Sequence, residues 1–345
     1  MTASPIRVGL MGLGRSGWDI HAQALAEHTD FVVAAVADPL AERREEAGER
    51  FGCAAYSRPE GVVADEDVEV VIVATPSHTH ASLAIAALDA GKHVVVEKPM
   101  AQDRAEMDAL LGAAKRTGRV LTCYQPRRLD ADFTALQDVV ASGRLGRLVL
   151  VRRGLYRFTR RADWQTLRKF GGGELANTGA HLLDQVLTLL GARFGDLFAD
   201  LQHTVGAGDA EDHVKVCFTT AGGTTADIEV TLCAALPQPE WVVLGTAGAV
   251  RGTGGELTVR WYDPSTLAPL VLDEGPAAGR RYGTGEQIIW HEETLSPTQT
   301  RPQALLFYNR LWATLRENAP LLVTPESIRP QIEIIERSRA QAAAR

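Results

Sequence analysis

Ile6-Arg7-Val8-Gly9-Leu10-Met11-Gly12-Leu13-Gly14-Arg15-Ser16-Gly17 is the stretch that decides the fold. A mostly apolar run reads as a buried strand, three glycines follow in the spacing G-x-G-x-x-G, and a helical pattern begins at once. Such glycines allow a tight turn and a close approach of backbone to a pyrophosphate, which then faces the N-terminus of the helix. A motif set between strand and helix has the context a dinucleotide fold requires. A second strand, residues 32–37, ends in Asp38. There, roughly twenty residues after the glycines, a carboxylate can accept from the adenosine ribose hydroxyls. Asp38 also reads as the N-cap of a helix over residues 39–51, with Pro39 at its first position.

Strand and helix go on alternating. Residues 70–74 form a strand, Thr75-Pro76-Ser77-His78-Thr79-His80 a loop, and a helix runs to residue 90, where Gly91 stops it. Residues 92–96 make the next strand, Asp103-Arg104-Ala105-Glu106 resembles a capping box, and residues 120–124 make a fifth strand. Strands separated by single helices imply a parallel, doubly wound Rossmann sheet, assigned to residues 1–124. Its fourth strand leads into Glu97-Lys98-Pro99. Parallel sheets place ligands at the carboxyl ends of their strands, and a lysine desolvated there can move protons. His78 and His80 read as parts of a loop lining the cofactor site; no metal site is expected.

Beyond residue 124 the pattern changes, and residues 125–345 are expected to form an α+β domain with an open, mostly antiparallel sheet. A helix over 132–142 leads to a strand at 148–155. Further β-type runs fall at 197–205, 214–220, 224–232, 241–246 and 257–262, and Ala221-Gly222-Gly223 reads as a hairpin turn. Helices over 303–316 and 325–338 close the chain, the latter with Thr324 as N-cap. Residues 280–286 look like a loop. After Gly171-Gly172-Gly173, the residues Asn177, His181 and Asp184 are spaced to share one helical face. Neutral imidazole there can accept a hydroxyl proton as hydride leaves the same carbon.

Composition limits the alternatives. The chain has 345 residues, 45% hydrophobic and 23% charged, with a formal net charge of −7. That charge argues against nucleic acid or an anionic membrane as partner. No apolar run approaches the roughly 18 residues of a membrane span, and Met1-Thr2-Ala3-Ser4-Pro5 shows no signal-peptide pattern. Cys53, Cys123, Cys217 and Cys233 form no close pair and read as small core residues. A cytoplasmic protein is expected.

The motifs Gly12-x-Gly14-x-x-Gly17, Asp38, Ala74-Thr75-Pro76 with His80, Ala90-Gly91-Lys92-His93 and Glu97-Lys98-Pro99 stand in the order and spacing of the Gfo/Idh/MocA oxidoreductases. That family includes inositol, glucose–fructose and related sugar dehydrogenases. Arg128, Gly143-Arg144-Leu145-Gly146, Gly171-Gly172-Gly173, Gly179-x-His181 and His181-x-x-Asp184 extend the resemblance over nearly the whole chain.

The resemblance implies that the glycine loop with Arg15 and Ser16 holds the pyrophosphate and that Asp38 holds the ribose. It puts Thr75, Pro76 and His80 beside the cofactor, Glu97 and Gln125 near the nicotinamide riboside, and Lys98 and His181 at the reacting carbon. Pro39 after Asp38 favours NAD over NADP; Arg43 and Arg44 read as solvated helix residues. Asn177 stands where the family usually has aspartate, able to hydrogen-bond the imidazole or substrate but not to stabilise imidazolium with a full charge. Arg157, Arg160, Arg161, Trp164 and Lys169 are candidates to meet an acidic or glycosidic substrate.

The expected activity is hydride transfer between NAD(H) and a secondary alcohol or carbonyl of a sugar, inositol or related polyol. The alternatives are transient oxidation with bound NAD, serving elimination or epimerisation, and a non-catalytic sensor of dinucleotide or sugar. A homodimer or homotetramer is expected.

Overall fold

Six strands form the first sheet of the computed structural model, which describes residues 4–272, 274–275, 280 and 283–344. Residues 1–3 of the N-terminal segment, and residues 281–282 of the expected loop, lie outside the described residues. The strands are β1 (Ile6–Met11), β2 (Phe31–Ala37), β3 (Ala54–Tyr56), β4 (Val70–Val73), β5 (His93–Val96) and β6 (Leu121–Cys123). Their order is β3-β2-β1-β4-β5-β6 and every pairing is parallel. In β4 all four residues are buried, as helices on both faces of a parallel sheet demand. β3 was not expected: three residues at a sheet edge carry too little pattern to register.

The order reverses between β1 and β4, and the glycine loop sits at that crevice. Gly12 has φ +89°, and a Cβ there would fall 2.6 Å from the Ala74 carbonyl oxygen; a Cβ on Gly17 would lie 1.8 Å from the Gly12 oxygen. Only glycine fits either position. The following helix opens with a π-wound segment, Ser16–Ala22.

The expected capping role of Asp38 is corrected. The helix begins at Ala41, its N-cap is Leu40, and Pro39-Leu40 leaves the Asp38 carboxylate one step short of the first turn. Its oxygens instead accept the Leu13 N–H at 2.8 Å and the Leu40 N–H at 3.0 Å, tying the glycine loop to the end of β2. Asp103 does cap its helix, accepting the Glu106 N–H at 2.8 Å. Glu106 reaches back to the N–H of Gln102, one residue before the usual capping-box partner.

The second sheet has eight strands: β7 (Leu148–Tyr156), β8 (Phe194–Gln202), β9 (His213–Thr220), β10 (Thr225–Thr231), β11 (Trp241–Gly245), β12 (Gly248–Thr253), β13 (Glu256–Trp261) and β14 (His291–Leu295). They run β14-β13-β12-β11-β7-β10-β9-β8, all antiparallel except the parallel pair β7 and β10. β12, with two glycines, and β14, with adjacent glutamates, lack the β-type composition that marked the others. Of the four cysteines only Cys123 is buried, and Cys233 is exposed. Among the described residues no helix is long and apolar enough to cross a membrane.

The C-terminal helices join the two halves. Phe307, Tyr308 and Leu311 of helix Gln303–Glu317 enter the core of the first sheet. Helix Pro325–Ala343, capped by Thr324, gives Ile328 and Ile332 to that core and Ile334 and Ile335 to the second. Arg128 completes the joint. Its guanidinium binds Asp184 in a fork at 2.6 and 2.8 Å, and also donates to the Leu322 carbonyl and to Ser327 Oγ. Burial pushes the Asp184 carboxyl up while the pairing holds Arg128 firmly charged; the two-point geometry decides for an ion pair. Asp184→Ala would leave a buried guanidinium without its counter-charge. It is expected to lower unfolding stability by about 3–5 kcal/mol, read by urea denaturation, with Asp184→Asn less damaging.

Candidate active site

Two connected cavities lie over the carboxyl ends of the first sheet. One, of about 610 Å³, is a groove bordered by Gly12, Gly14, Asp38, Thr75, Pro76 and His80. The other, of about 950 Å³, reaches toward the second sheet and is lined by Arg127, Arg157, Asn177 and His181 among others. Arg15, Ser16, Glu97, Lys98, Arg161 and Gln165 line both. Lys98 therefore stands where groove and cleft meet.

The groove suits a dinucleotide. At Gly14 the backbone is bare, with only Arg43 reaching to 4.0 Å of where a Cβ would stand. His80 is buried, its ring nitrogens each 2.8 Å from the carbonyl oxygens of Thr75 and Pro99, so it braces the two loops that form the wall. Burial pushes its pKa down. Arg43 and Arg44 are half-exposed on their helix and also make local contacts. Arg43 leans to 3.4 Å from the Asp38 carboxylate, and Arg44 donates to the carbonyls of Asp38 and Pro39. Trp164 lines this groove and not the larger cleft.

Lys98 extends from the end of β5 and crosses to the second half of the molecule. Its Nζ donates to Asn177 Oδ1 at 2.7 Å and to the Asn177 carbonyl at 3.2 Å. Burial depresses its pKa, opposed by the charges of Glu97 and Glu174. Glu97 is buried against His21, Nε2 to Oε1 3.3 Å, and His21 in turn meets the Tyr308 hydroxyl at 2.6 Å. Burial alone would raise the Glu97 carboxyl; His21, Lys98 and His80 more than offset it and hold it below the usual range.

Asn177 and His181 do not form the expected pair. Helical side chains lean toward the N-terminus, and Asn177 Nδ2 donates to Glu174, three residues back, while its oxygen accepts a hydrogen bond from Lys98. His181 turns to Gln125 instead, with Nδ1 2.6 Å from Oε1. Gln125 is fully buried, lies outside the lining of both groove and cleft, and braces the histidine. Its own amide donates to Gln331 at 3.4 Å, and Gln331 donates to the Ala180 carbonyl at 2.5 Å. An amide oxygen only accepts, so the His181 proton sits on Nδ1 and the Nε2 lone pair is left for the cleft. Burial, Lys98 and Arg127 all push the His181 pKa well below its usual value.

Sequence reasoning missed Glu174, His21, Tyr308, Gln331 and Arg127. Glu174 follows the glycine run directly and Arg127 lies beside Gln125, so adjacency to known motifs could have flagged both. The remainder meet the site through contacts far apart in sequence.

Groove, strand-end lysine and tautomer-set histidine define a dinucleotide-binding protein with a second chamber for a small molecule. The description "Oxidoreductase family, NAD-binding Rossmann fold" matches residues 6–125, and the Gfo/Idh/MocA C-terminal domain matches residues 133–251. The chain belongs to the Gfo/Idh/MocA oxidoreductase family. It is 31% identical over 220 residues to the myo-inositol 2-dehydrogenase of Thermotoga maritima, covering 61% of this chain and 64% of that one. It is 33% identical over 189 residues to the scyllo-inositol 2-dehydrogenase (NADP(+)) of Bacillus subtilis, covering 54% and 52%. The chain thus spans about half the length of most of the curated relatives it matches. An NAD-binding protein from Listeria innocua superposes with a TM-score of 0.82 at 28% identity, over 99% of this chain and 96% of that one.

The histidine geometry has a direct readout. At pH 6.5, where a free imidazole is about half protonated, His181 is expected to be neutral with its proton on Nδ1, as seen by nitrogen-15 NMR. Gln125→Leu should release that tautomer preference. Because the unfolded chain binds the proton more readily than the folded one, His181 should contribute a loss of stability as pH falls below about 6.5.

Proposed function

We propose that the protein is an NAD(H)-dependent oxidoreductase acting on a secondary alcohol or carbonyl of a sugar, inositol or related polyol. The position of Lys98 carries this reading: a desolvated lysine lines both groove and cleft, and His181 lines the same cleft. The groove residues Gly12, Gly14, Arg15, Ser16 and Gly17 would cradle the pyrophosphate, with Asp38 at the ribose and Thr75 and Pro76 along the wall. Bound nicotinamide supplies the hydride acceptor or donor.

The side chains manage the proton. His181 Nε2 is free to take it from the alcohol, and Gln125 holds the ring in the tautomer that can. Lys98 donates a hydrogen bond to the reacting oxygen, stabilising negative charge as it develops. Asn177 steers the ammonium without adding a charge that would lock it. The family assignment and the two inositol dehydrogenases among the relatives support the polyol class. The same proposal includes a cytoplasmic setting and subunits paired through the outer face of the second sheet, where Phe198 and Leu244 are exposed.

Incubation with NAD and a panel of polyols, following NADH absorbance and product together, tests the reaction. Both should rise; altered sugar without NADH indicates transient oxidation, and binding without turnover indicates a sensor. Lys98→Met should reduce kcat on the order of 10²-fold or more while NAD binds within a few-fold. Normal turnover would remove Lys98 from the chemistry.

NAD should bind more tightly than NADP, because the Asp38 carboxylate repels a 2′-phosphate. Asp38→Ser would free Arg43 to face that phosphate, and should shift the preference toward NADP by about tenfold or about 1.4 kcal/mol. An unchanged ratio of dissociation constants would exclude Asp38 as the selector.

A further inference from the structure

The cleft is lined by several cations, and most have partners. Arg161 pairs with Glu174 at 2.9 Å and with Asp163 at 2.8 Å, and Arg157 stands 3.8 Å from Glu174. These are two of the three arginines that the sequence singled out, and both have carboxylates beside them; the third, Arg160, does not line the cleft. Arg15 belongs to the glycine loop. Lys98 is held by Asn177. Arg127 differs: among the described residues no carboxylate lies within 4.0 Å of its guanidinium, and no side-chain hydrogen bond engages it. Asp130 is nearby, but its oxygens accept from Gln303 at 3.0 Å and from Gln185 at 3.4 Å.

Arg127 is also firmly rooted. It sits in the single turn Pro126–Leu129. On one side Gln125 is bonded to His181; on the other Arg128 is clamped to Asp184. Its own carbonyl accepts from Gln185 at 2.9 Å. A planar guanidinium on so fixed a base is suited to two-point recognition of an oxyanion. Its charge acts on both Lys98 and His181. Glu97 and Glu174 counter Lys98, and Asp130 lies within electrostatic reach of Arg127, but the Arg127 fork itself has no bonded oxyanion, which an anionic ligand supplies.

We infer that the substrate of this cleft carries an anionic group, a carboxylate or a phosphate on the sugar or polyol, and that Arg127 binds it. This rests on the proposed oxidoreductase function, in which the cleft receives the substrate. Arg127 then sets specificity: the anion docks on its fork and the hydroxyl to be oxidised is carried toward Lys98 and His181.

Calorimetry on the NADH-loaded protein provides the test, with methyl β-D-glucoside, methyl β-D-glucuronide and glucose 6-phosphate as probes. At least one anionic probe should bind tenfold or more tightly than the neutral glucoside, and added salt should weaken it. The stronger of the two separates carboxylate from phosphate. Arg127→Gln should abolish the advantage while NADH affinity stays within a few-fold, and Arg127→Lys should keep part of it. Equal binding of all three probes, including none at all, overturns the inference, as does an advantage that survives in Arg127→Gln. Should wild-type protein fail to bind NADH, the proposed function itself falls; should NADH bind with no anion preference, only the role of Arg127 does.

Discussion

The hydrogen bond from Lys98 Nζ to Asn177 Oδ1 joins the end of a strand in the first sheet to the helix that backs the second. Residues 79 positions apart meet there, in the wall shared by groove and cleft. Such a contact needs both halves to be rigidly placed. The two-point pair of Arg128 and Asp184, and the last helix with apolar residues in both cores, provide that rigidity. A loosened joint would move the lysine relative to the histidine, and proton transfer is sensitive to shifts of an ångström.

The electrostatics follow from the same packing. Lys98, Glu97 and His181 all lie in poorly solvated surroundings, yet each keeps a different partner. Glu97 keeps its charge through His21. Lys98 is directed by a neutral amide, and His181 by another, so neither is tied to a fixed counter-charge. Asparagine at position 177, where the resemblance led one to expect aspartate, is thus consistent with an active lysine: it aims the ammonium while leaving its proton movable. Neutral bracing fixes the tautomer and leaves the histidine unprotonated and ready to accept a proton, but gives the imidazolium no counter-charge.

Much of the fold was legible because its signals are local. The run from Ile6 to Gly17 carries strand, turn and helix in order, and the later strands of the first sheet read as apolar stretches bounded by glycine and proline. β3, β12 and β14 were not, since short, glycine-bearing or acidic strands are stabilised by their neighbours and not by their own composition. Lys98 and His181, singled out from motif and spacing, line one cleft, and Asp38 lines the groove. Their protein partners were not legible: Asn177, read as meeting the imidazole or substrate, holds Lys98, and Gln125, read as near the nicotinamide riboside, holds His181. Helical spacing gives the face but not the lean of a side chain, and nothing local ties residue 125 to residue 331.

A crystal structure of the complex with NADH tests the central claim most directly. The pyrophosphate should lie against Gly12–Gly17, the adenosine ribose at Asp38, and the nicotinamide ring at the junction of groove and cleft, with its reactive face toward Lys98 and His181. A nicotinamide directed away from that junction, or a dinucleotide bound outside the glycine loop, would contradict the account.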